Sequence, residues 1–219
     1  MNIPIIYEDE NILAIDKPSG LLVHPAESTT GETLIDWILE KYPDIKNVGE
    51  DISRPGIVHR LDKETSGTML VAKDQETFEF LKEQFQNRKI KKTYSALVTG
   101  EVKNNTGTIE TPIQRFTKSR DALTEYKITE RFKDFTLLEA YPKTGRTHQI
   151  RIHLKSIGHP IVCDKIYTKK PQCPFGLNRH FLHAQSIEFN LENGSKIKLE
   201  TDLPKDLDLA LKSLKEYAK

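Results

Sequence analysis

The most informative segment of the chain reads Gly56-Ile57-Val58-His59-Arg60-Leu61-Asp62-Lys63-Glu64-Thr65-Ser66-Gly67. Ile57-Val58 predicts a short strand before the charged residues, and residues 67–72 predict a second strand after them. The glycine at each end favours a turn there. A turn that only connects two strands seldom carries so many ionisable groups, so we expect this one to carry chemistry.

Outward from this segment, the spacing of apolar residues predicts both strands and helices. Predicted strands are residues 3–8 and 11–16, which form a hairpin, and residues 93–98, 122–131, 135–141 and 187–191. Predicted helices cover residues 34–43, the stretch from the N-cap Asp74 to about Asn87, the stretch from Gly145 to Gly158, and residues 203–217. Alternating short strands favour a mainly antiparallel sheet.

Length and composition bound the class of protein. The 219 residues, 37% of them hydrophobic, suffice for one good-sized core, so we expect a single catalytic domain over residues 1–219. Long apolar runs and the pattern of a secretion signal are missing from the sequence, which favours a cytoplasmic protein. We also expect a monomer. For such a protein we expect Cys163 and Cys173 to be free thiols, and neither has the Cys/His neighbours of a zinc site.

The formal net charge of +1 hides an uneven distribution of charge along the chain. Residues 1–53 hold eleven acids against three bases, whereas residues 54–219 hold 21 acids against 30 bases. Residues 140–163 contain four lysines and arginines and no acid at all. This basic body favours a polyanionic partner, of which RNA is one.

Several separate motifs resemble, in the same order, those of the RluA-type RNA pseudouridine synthases. They are the His-Arg-Leu-Asp of residues 59–62, residues 17–21 with His24-Pro25, residues 92–94, residues 144–154, and residues 158–161 followed by Asp164 and Tyr167. The resemblance implies an α+β fold, with a mixed, mainly antiparallel β-sheet core flanked by helices. Because it begins near residue 7, we expect a short form without the N-terminal S4-like RNA-binding domain of many relatives.

The resemblance also implies three catalytic residues, Asp62, Tyr94 and Arg151. Converting uridine to pseudouridine breaks the C1′–N1 bond and rejoins the base through C5, and an ionised carboxylate can stabilise or capture the electron-poor carbon. Arg151 is the implied partner that keeps Asp62 charged. The ring of Tyr94 is implied to stack on the uracil, with its hydroxyl near the C5 proton. Whether Asp62 attacks C1′ or C6, or assists glycal formation, stays open.

A uracil stacked in RNA is out of reach, so the target nucleotide must be flipped out. The resemblance implies that the Arg60 guanidinium occupies the vacated position. His59 is expected either to brace the loop or to touch the RNA backbone. Arg146 and His148, in the family-like stretch 144–154, are further expected RNA contacts.

A second candidate RNA-binding element is the basic stretch Gln114-Arg115-Phe116-Thr117-Lys118-Ser119-Arg120. It joins two predicted strands and places three bases around one aromatic ring. We predict a mobile loop that closes on RNA through Arg115, Lys118 and Arg120, because long loops between strands often carry binding residues.

Three other functions compete with the isomerase. A catalytically silent RNA-binding module would use the same basic surface and need no carboxylate. A metal hydrolase is suggested by the spacing of His180 and His183, but carboxylate ligands are missing nearby. A glycosidase needs a second acid, and the only acid in the same motif is Glu64, two residues from Asp62. We therefore expect no metal, no cofactor and no membrane, and RNA as the partner, either tRNA, rRNA or both.

Overall fold

The computed structural model describes residues 1–25, 31–115 and 118–217, except for the side chains of Arg115 and Tyr217. The chain divides into two compact units. Unit 1 comprises residues 1–91 and 186–201, and unit 2 comprises residues 92–185 and 202–219. The single-domain assignment of residues 1–219 stays a prediction.

Unit 1 is a small antiparallel sheet with helices. Its elements are β1 (Ile5–Glu8), β2 (Ile12–Lys17), α1 (Leu34–Lys41), a 3-10 helix (Pro43–Asn47), β3 (Ser66–Ala72) and α2 (Gln75–Gln86), followed by the later half of β10 (Leu182–Asn190) and by β11 (Lys196–Glu200). Strand β2 pairs with both β1 and β3, and β10 pairs with β11. Side chains from β2, β3 and both α-helices form one apolar core.

Short polar side chains set the boundaries of these elements. The carboxylate of Asp9 accepts from the backbone N–H groups of Asn11 and Ile12, at 2.9 and 2.6 Å, and so makes the turn of the predicted hairpin. Asp74 accepts from the N–H of Thr77 at 2.8 Å and caps α2, as predicted.

Unit 2 consists of antiparallel strands and two helices. Its elements are β4 (Lys91–Thr99, of which Lys91 is counted in unit 1), β5 (Thr106–Ile109), β6 (Ile113–Arg115), β7 (Lys118–Arg120), β8 (Thr124–Arg131), β9 (Phe135–Pro142), α3 (Gln149–Ser156), the first half of β10, and α4 (Lys205–Tyr217). Strand β9 pairs with β4 and β8, and β8 pairs with β5. Leu207, Ala210 and Leu214 bring one face of α4 into the core of this unit.

The predicted α+β class with a mainly antiparallel sheet is confirmed, and every predicted helix is present. The short strand predicted at Ile57-Val58 is wrong, because only a single bridge joins Ile57 to Val71. The loop predicted for residues 114–120 is also wrong in part. Strands β6 and β7 pair there as an antiparallel hairpin, which we call the basic hairpin, while Phe116 and Thr117 lie outside the described residues.

The expectation of two free cysteines is wrong, since Cys163 and Cys173 form a disulfide. The fold brings their Cα atoms to 4.5 Å, a distance that the sequence does not reveal. Cys163 is buried in the core of unit 2, and Cys173 is exposed. The bridge closes a short loop that contains Asp164 and Tyr167. Within the described part of the chain, no helix is long and apolar enough to cross a membrane.

Cys173→Ser is expected to lower the free energy of unfolding by about 2–3 kcal/mol, because opening a short disulfide loop restores conformational freedom to the unfolded chain. Urea denaturation of the wild type and the variant measures this difference. A dithiol reductant should destabilise the wild type by a similar amount and leave the variant unchanged. Equal stability of the oxidised wild type and the variant would contradict the prediction.

Candidate active site

The turn that carries Asp62 is built from tightly packed neighbours in unit 1. Gly56 has a φ of +70°, and a Cβ there would lie 2.6 Å from the carbonyl oxygen of Ala72, so a side chain does not fit. Leu61 is buried, whereas Asp62 is half-buried. The carbonyl of Asp62 accepts from the N–H of Thr65 at 3.1 Å. The backbone of the turn is therefore closely packed around the half-buried Asp62.

A buried ammonium group joins this turn to the end of β2. Lys17 is fully buried, and its Nζ donates to the carbonyls of Pro18 and Leu21, each at 2.8 Å, and of Lys63 at 3.2 Å. The same Lys63 carbonyl accepts from the N–H of Gly20 at 2.9 Å. Residues 17–21 thus hold the residue next to Asp62. The sequence marked Lys17 only as part of a motif, because the lysine alone gives no sign of its burial.

His59 stabilises the turn by contacts with β3 and α2. Its Nε2 accepts from the backbone N–H of Leu70 at 2.9 Å, and its ring stacks on Phe85 with the centroids 4.8 Å apart. Since Nε2 is the acceptor, this ring carries its proton on Nδ1 in the neutral form. Of the two roles predicted for His59, the geometry favours bracing the loop.

Arg60 is exposed, and its Nη1 lies 2.6 Å from Nε2 of His24. An arginine only donates, so His24 must accept through Nε2. The Nδ1 of His24 lies 3.0 Å from the carbonyl of Pro25, which fits a proton on that nitrogen. The His-Pro motif at residues 24–25 therefore orients the guanidinium that is predicted to replace the flipped base.

In unit 2, Arg151 lies on α3 with only 3% of its side chain exposed. Its Nε and Nη2 donate to the two carboxylate oxygens of Asp164 at 2.8 and 2.9 Å. Burial alone would raise the pKa of Asp164, but the hydrogen bonds and the charge of Arg151 outweigh this effect and hold that pKa below its usual range. Arg151 is therefore held in place by a bidentate salt bridge to Asp164, which the sequence did not reveal.

Tyr167 extends this arrangement. Its ring centroid lies 5.1 Å from the guanidinium of Arg151, and its backbone N–H donates to Asp164 at 3.1 Å. The hydroxyl of Tyr167 lies 2.8 Å from Nδ1 of His148. Asp164 and Tyr167 belong to a family-like motif, but the sequence predicts no role for them. The structure makes them the residues that orient Arg151 and His148.

Two further predicted residues lie at the N-terminal end of α3. His148 is the N-cap residue and has a left-handed backbone, with a φ of +54°. The side chain of Gln149 accepts from the N–H of Arg146 at 3.0 Å and donates to Thr124 at 3.0 Å. Arg146 and His148 thus sit on a loop that is tied to β8.

Tyr94 lies on β4, opposite Ala140 of β9, and is half-buried against the core of unit 2. Lys92 lies two residues earlier, and its Nζ is 3.4 Å from the carbonyl of Thr144. Burial lowers the pKa of Lys92 to about 8. A strand places residues i and i+2 on the same face, so this lysine and the predicted catalytic tyrosine share one face of β4.

The two histidines of the metal hypothesis, His180 and His183, are both buried. Burial, followed by the nearby charge of Arg151, lowers the pKa of His180 to about 3, so its ring is neutral near pH 7. Among the described residues, no group of three or more His, Cys, Asp and Glu side chains is arranged to hold a metal ion.

The predicted site residues are divided between the two units. Asp62, Arg60 and His59 belong to unit 1, whereas Tyr94 and Arg151 belong to unit 2. The ion pair between Asp62 and Arg151 stays a prediction. In the basic hairpin of unit 2, Lys118 and Arg120 are exposed, and the side chain of Arg115 lies outside the described part of the chain.

Comparison with known proteins identifies the family. The model of the RNA pseudouridylate synthase family matches residues 11–156. The chain therefore belongs to the RNA pseudouridylate synthase family, whose members are isomerases. This result confirms the family that the motifs indicated.

Individual relatives are similar over most of the chain. A Bacillus subtilis protein named "Uncharacterized RNA pseudouridine synthase YlyB" is 37% identical over 99% of this chain and 74% of its own length. "Ribosomal large subunit pseudouridine synthase D" of Borreliella burgdorferi is 38% identical over 93% of this chain and 67% of its own length. The chain covers 57% of an Aquifex aeolicus relative that is 47% identical over 76% of this chain.

A solved structure supports the fold. "Human RNA Pseudouridylate Synthase Domain Containing 4" superposes with a TM-score of 0.79 over 97% of this chain and 93% of that chain, at 24% sequence identity. At this identity the likeness concerns the fold alone.

Asp164→Asn is expected to lower the free energy of unfolding by about 3 kcal/mol at pH 7, because it removes one charge from a buried, doubly hydrogen-bonded pair. Urea denaturation measures the loss. Glu125→Gln is the matched control, since its ion pair with Lys143 is exposed and such pairs contribute about 0–1 kcal/mol. An equal loss of free energy of unfolding in the two variants would show that the buried ion pair stabilises the fold no more than the exposed pair does.

The same pair should make stability depend on pH. The pKa of Asp164 is lowered by folding, so its contribution is complete above the pKa of an unfolded aspartate, about 4. The contribution is lost as the pH falls through the lower folded-state pKa. Between pH 7 and pH 3 the wild type should therefore lose more stability than Asp164→Asn. Parallel losses in urea denaturation at the two pH values would contradict this linkage.

Proposed function

We propose that this protein converts uridine to pseudouridine in RNA, with Asp62 as the catalytic carboxylate. The observation that carries the proposal is the rigid Asp62 turn. Lys17 and His59 hold its backbone, and Asp62 itself is half-buried, in a segment that the family model covers. A catalytic group has to be held in one geometry and still reach its substrate.

The remaining assignments follow the same logic. Arg151, already oriented by Asp164, keeps Asp62 ionised, and Tyr94 stacks on the flipped uracil. Arg60 fills the space that the uracil leaves, which offsets part of the few kcal/mol that flipping costs. Isomerisation consumes no redox equivalent and no phosphate energy, so the reaction needs no cofactor. We also propose that the protein acts as a monomer in the cytoplasm.

We propose that the substrate is RNA of the large ribosomal subunit, in preference to tRNA. Support comes from several similar proteins that are named as ribosomal large subunit pseudouridine synthase D, among them the Borreliella burgdorferi relative and one of Pseudomonas aeruginosa. The basic residues Arg146, His148, Lys118 and Arg120 would contact RNA phosphates in either case, because such contacts carry no sequence information.

Wild-type protein is expected to release tritium from C5-labelled uridine in a transcript of large-subunit rRNA, because bonding at C5 expels that hydrogen. Asp62→Asn should reduce the rate at least 1000-fold and keep RNA affinity, since the carboxylate acts in the chemical step. Glu64→Gln, two residues away, is the matched control and should keep the rate of the wild type. A tRNA transcript tests the other substrate class.

No release from either transcript, with RNA still bound, would contradict the isomerase and favour the catalytically silent binding module. Full activity of Asp62→Asn would contradict the catalytic role of Asp62 alone. Activity on tRNA without activity on rRNA would overturn only the preferred substrate.

Replacing Arg115, Lys118 and Arg120 of the basic hairpin by glutamine is expected to weaken RNA binding and to flatten its dependence on salt. Each lost phosphate contact removes about 0.7 from the slope of log K against log salt for single strands, so three contacts reduce the slope by about 2. A control triple, Lys82, Lys196 and Lys212 to glutamine, removes cations that already pair with carboxylates. An unchanged slope in the hairpin variant would contradict its role.

A further inference from the structure

A pocket in unit 2 lies between the basic hairpin and α3. It has a volume of about 350 Å³, within the range of small-ligand sites. The lining residues are Ile113, Gln114, Arg120, Gly145, Arg146, Thr147, Ile152 and Tyr167. The reaction proposed above uses neither Ile113 nor Ile152.

The lining combines apolar and cationic groups. Ile113 is buried, Ile152 is half-buried, and together with the ring of Tyr167 they offer apolar surface. Arg120 and Arg146 add two positive charges, and none of the described lining residues is acidic. Such a pocket suits a ligand with one flat apolar part and one anionic part.

The two guanidinium groups differ in how they are held. Arg146 donates through Nε to the backbone carbonyl of Asp121 at 3.2 Å, which orients the group and leaves its charge uncompensated. Arg120 is exposed on β7. In residues 1–25, 31–115 and 118–217, the ion pairs include neither arginine. Both charges are therefore available to an external anion, for which planar guanidinium groups are well suited.

The pocket adjoins a residue of the proposed catalytic set. Tyr167 forms part of its wall, and the centroid of the Tyr167 ring lies 5.1 Å from the guanidinium of Arg151. A ligand in the pocket would lie one side chain away from Arg151. An RNA strand whose uridine is handled by Arg151 would carry a neighbouring nucleotide at this distance.

We propose that this pocket is a subsite for a second, unstacked nucleotide of the RNA, close in sequence to the target uridine. The base lies against Ile113, Ile152 and Tyr167, and the adjoining phosphate lies between Arg120 and Arg146. The amide of Gln114 reaches the edge of the base and can read it through hydrogen bonds. The inference rests on the proposed function and deepens it, because the subsite selects uridines by a neighbouring base.

The test measures the affinity of a short stem-loop RNA in which loop nucleotides beside the uridine are made abasic one at a time. Removing the base that occupies the pocket should weaken binding to the wild type about tenfold or more, because stacking of a single base contributes that much. Removing a base that lies elsewhere should have a smaller effect.

Two variants block the pocket. Gly145→Leu places a side chain where a Cβ meets no atom within 4 Å, so the backbone accepts it without strain. Ile152→Glu puts a carboxylate where the base would lie. Its matched control is Ile157→Glu, which makes the same charge change at an exposed position near the end of the same helix, outside the pocket.

Both blocking variants should bind intact RNA about tenfold more weakly than the wild type does. Removing the base that occupies the pocket should not weaken their binding further. Ile157→Glu should lose affinity on removal of that base, as the wild type does. If the affinity lost through a blocking variant and the affinity lost through the abasic RNA simply add, the subsite is overturned.

Tritium release from the same stem-loop separates the two proposals. Release with additive losses overturns the subsite alone, and non-additive losses without release support the subsite and overturn the isomerase.

Discussion

A buried cation is tolerated only where fixed acceptors replace its water, and this constraint shapes both functional segments. In unit 1, the Lys17 ammonium is enclosed by three backbone carbonyls, one of them that of Lys63 beside Asp62. In unit 2, the Arg151 guanidinium is enclosed by the Asp164 carboxylate and the Tyr167 ring. Each cation forces the surrounding backbone into one arrangement, and the candidate reactive groups are attached to that backbone.

The groups that would meet RNA lie next to these rigid points and are themselves more exposed. Asp62 is half-buried beside the buried Leu61, and Arg60 is exposed but oriented by His24. On α3, Arg151 is buried and the following Ile152 lines an open pocket. A fixed interior with accessible neighbours lets an enzyme hold its geometry without closing itself to a large substrate.

Much of the fold followed from local patterns because local forces dominate there. The hairpin of β1 and β2, the Asp74 cap and the helical face of α3 depend on neighbours within a few residues. Strands β5, β6 and β7 are short and largely polar, so they lack an apolar alternation that would predict them. Pairing supplies their stabilisation: β6 and β7 pair with each other, and β5 pairs with β8, which is not the next strand along the chain.

By itself, the sequence determined the family, the α+β class and the identity of the candidate reactive groups, since motifs are local and their order is kept along the chain. Tertiary structure alone decided the partners: Asp164 for Arg151, Leu70 and Phe85 for His59, and Cys173 for Cys163. It also decided which cations are buried. Burial and pairing depend on contacts between distant segments, and a linear pattern of residues does not encode those distances in a readable way.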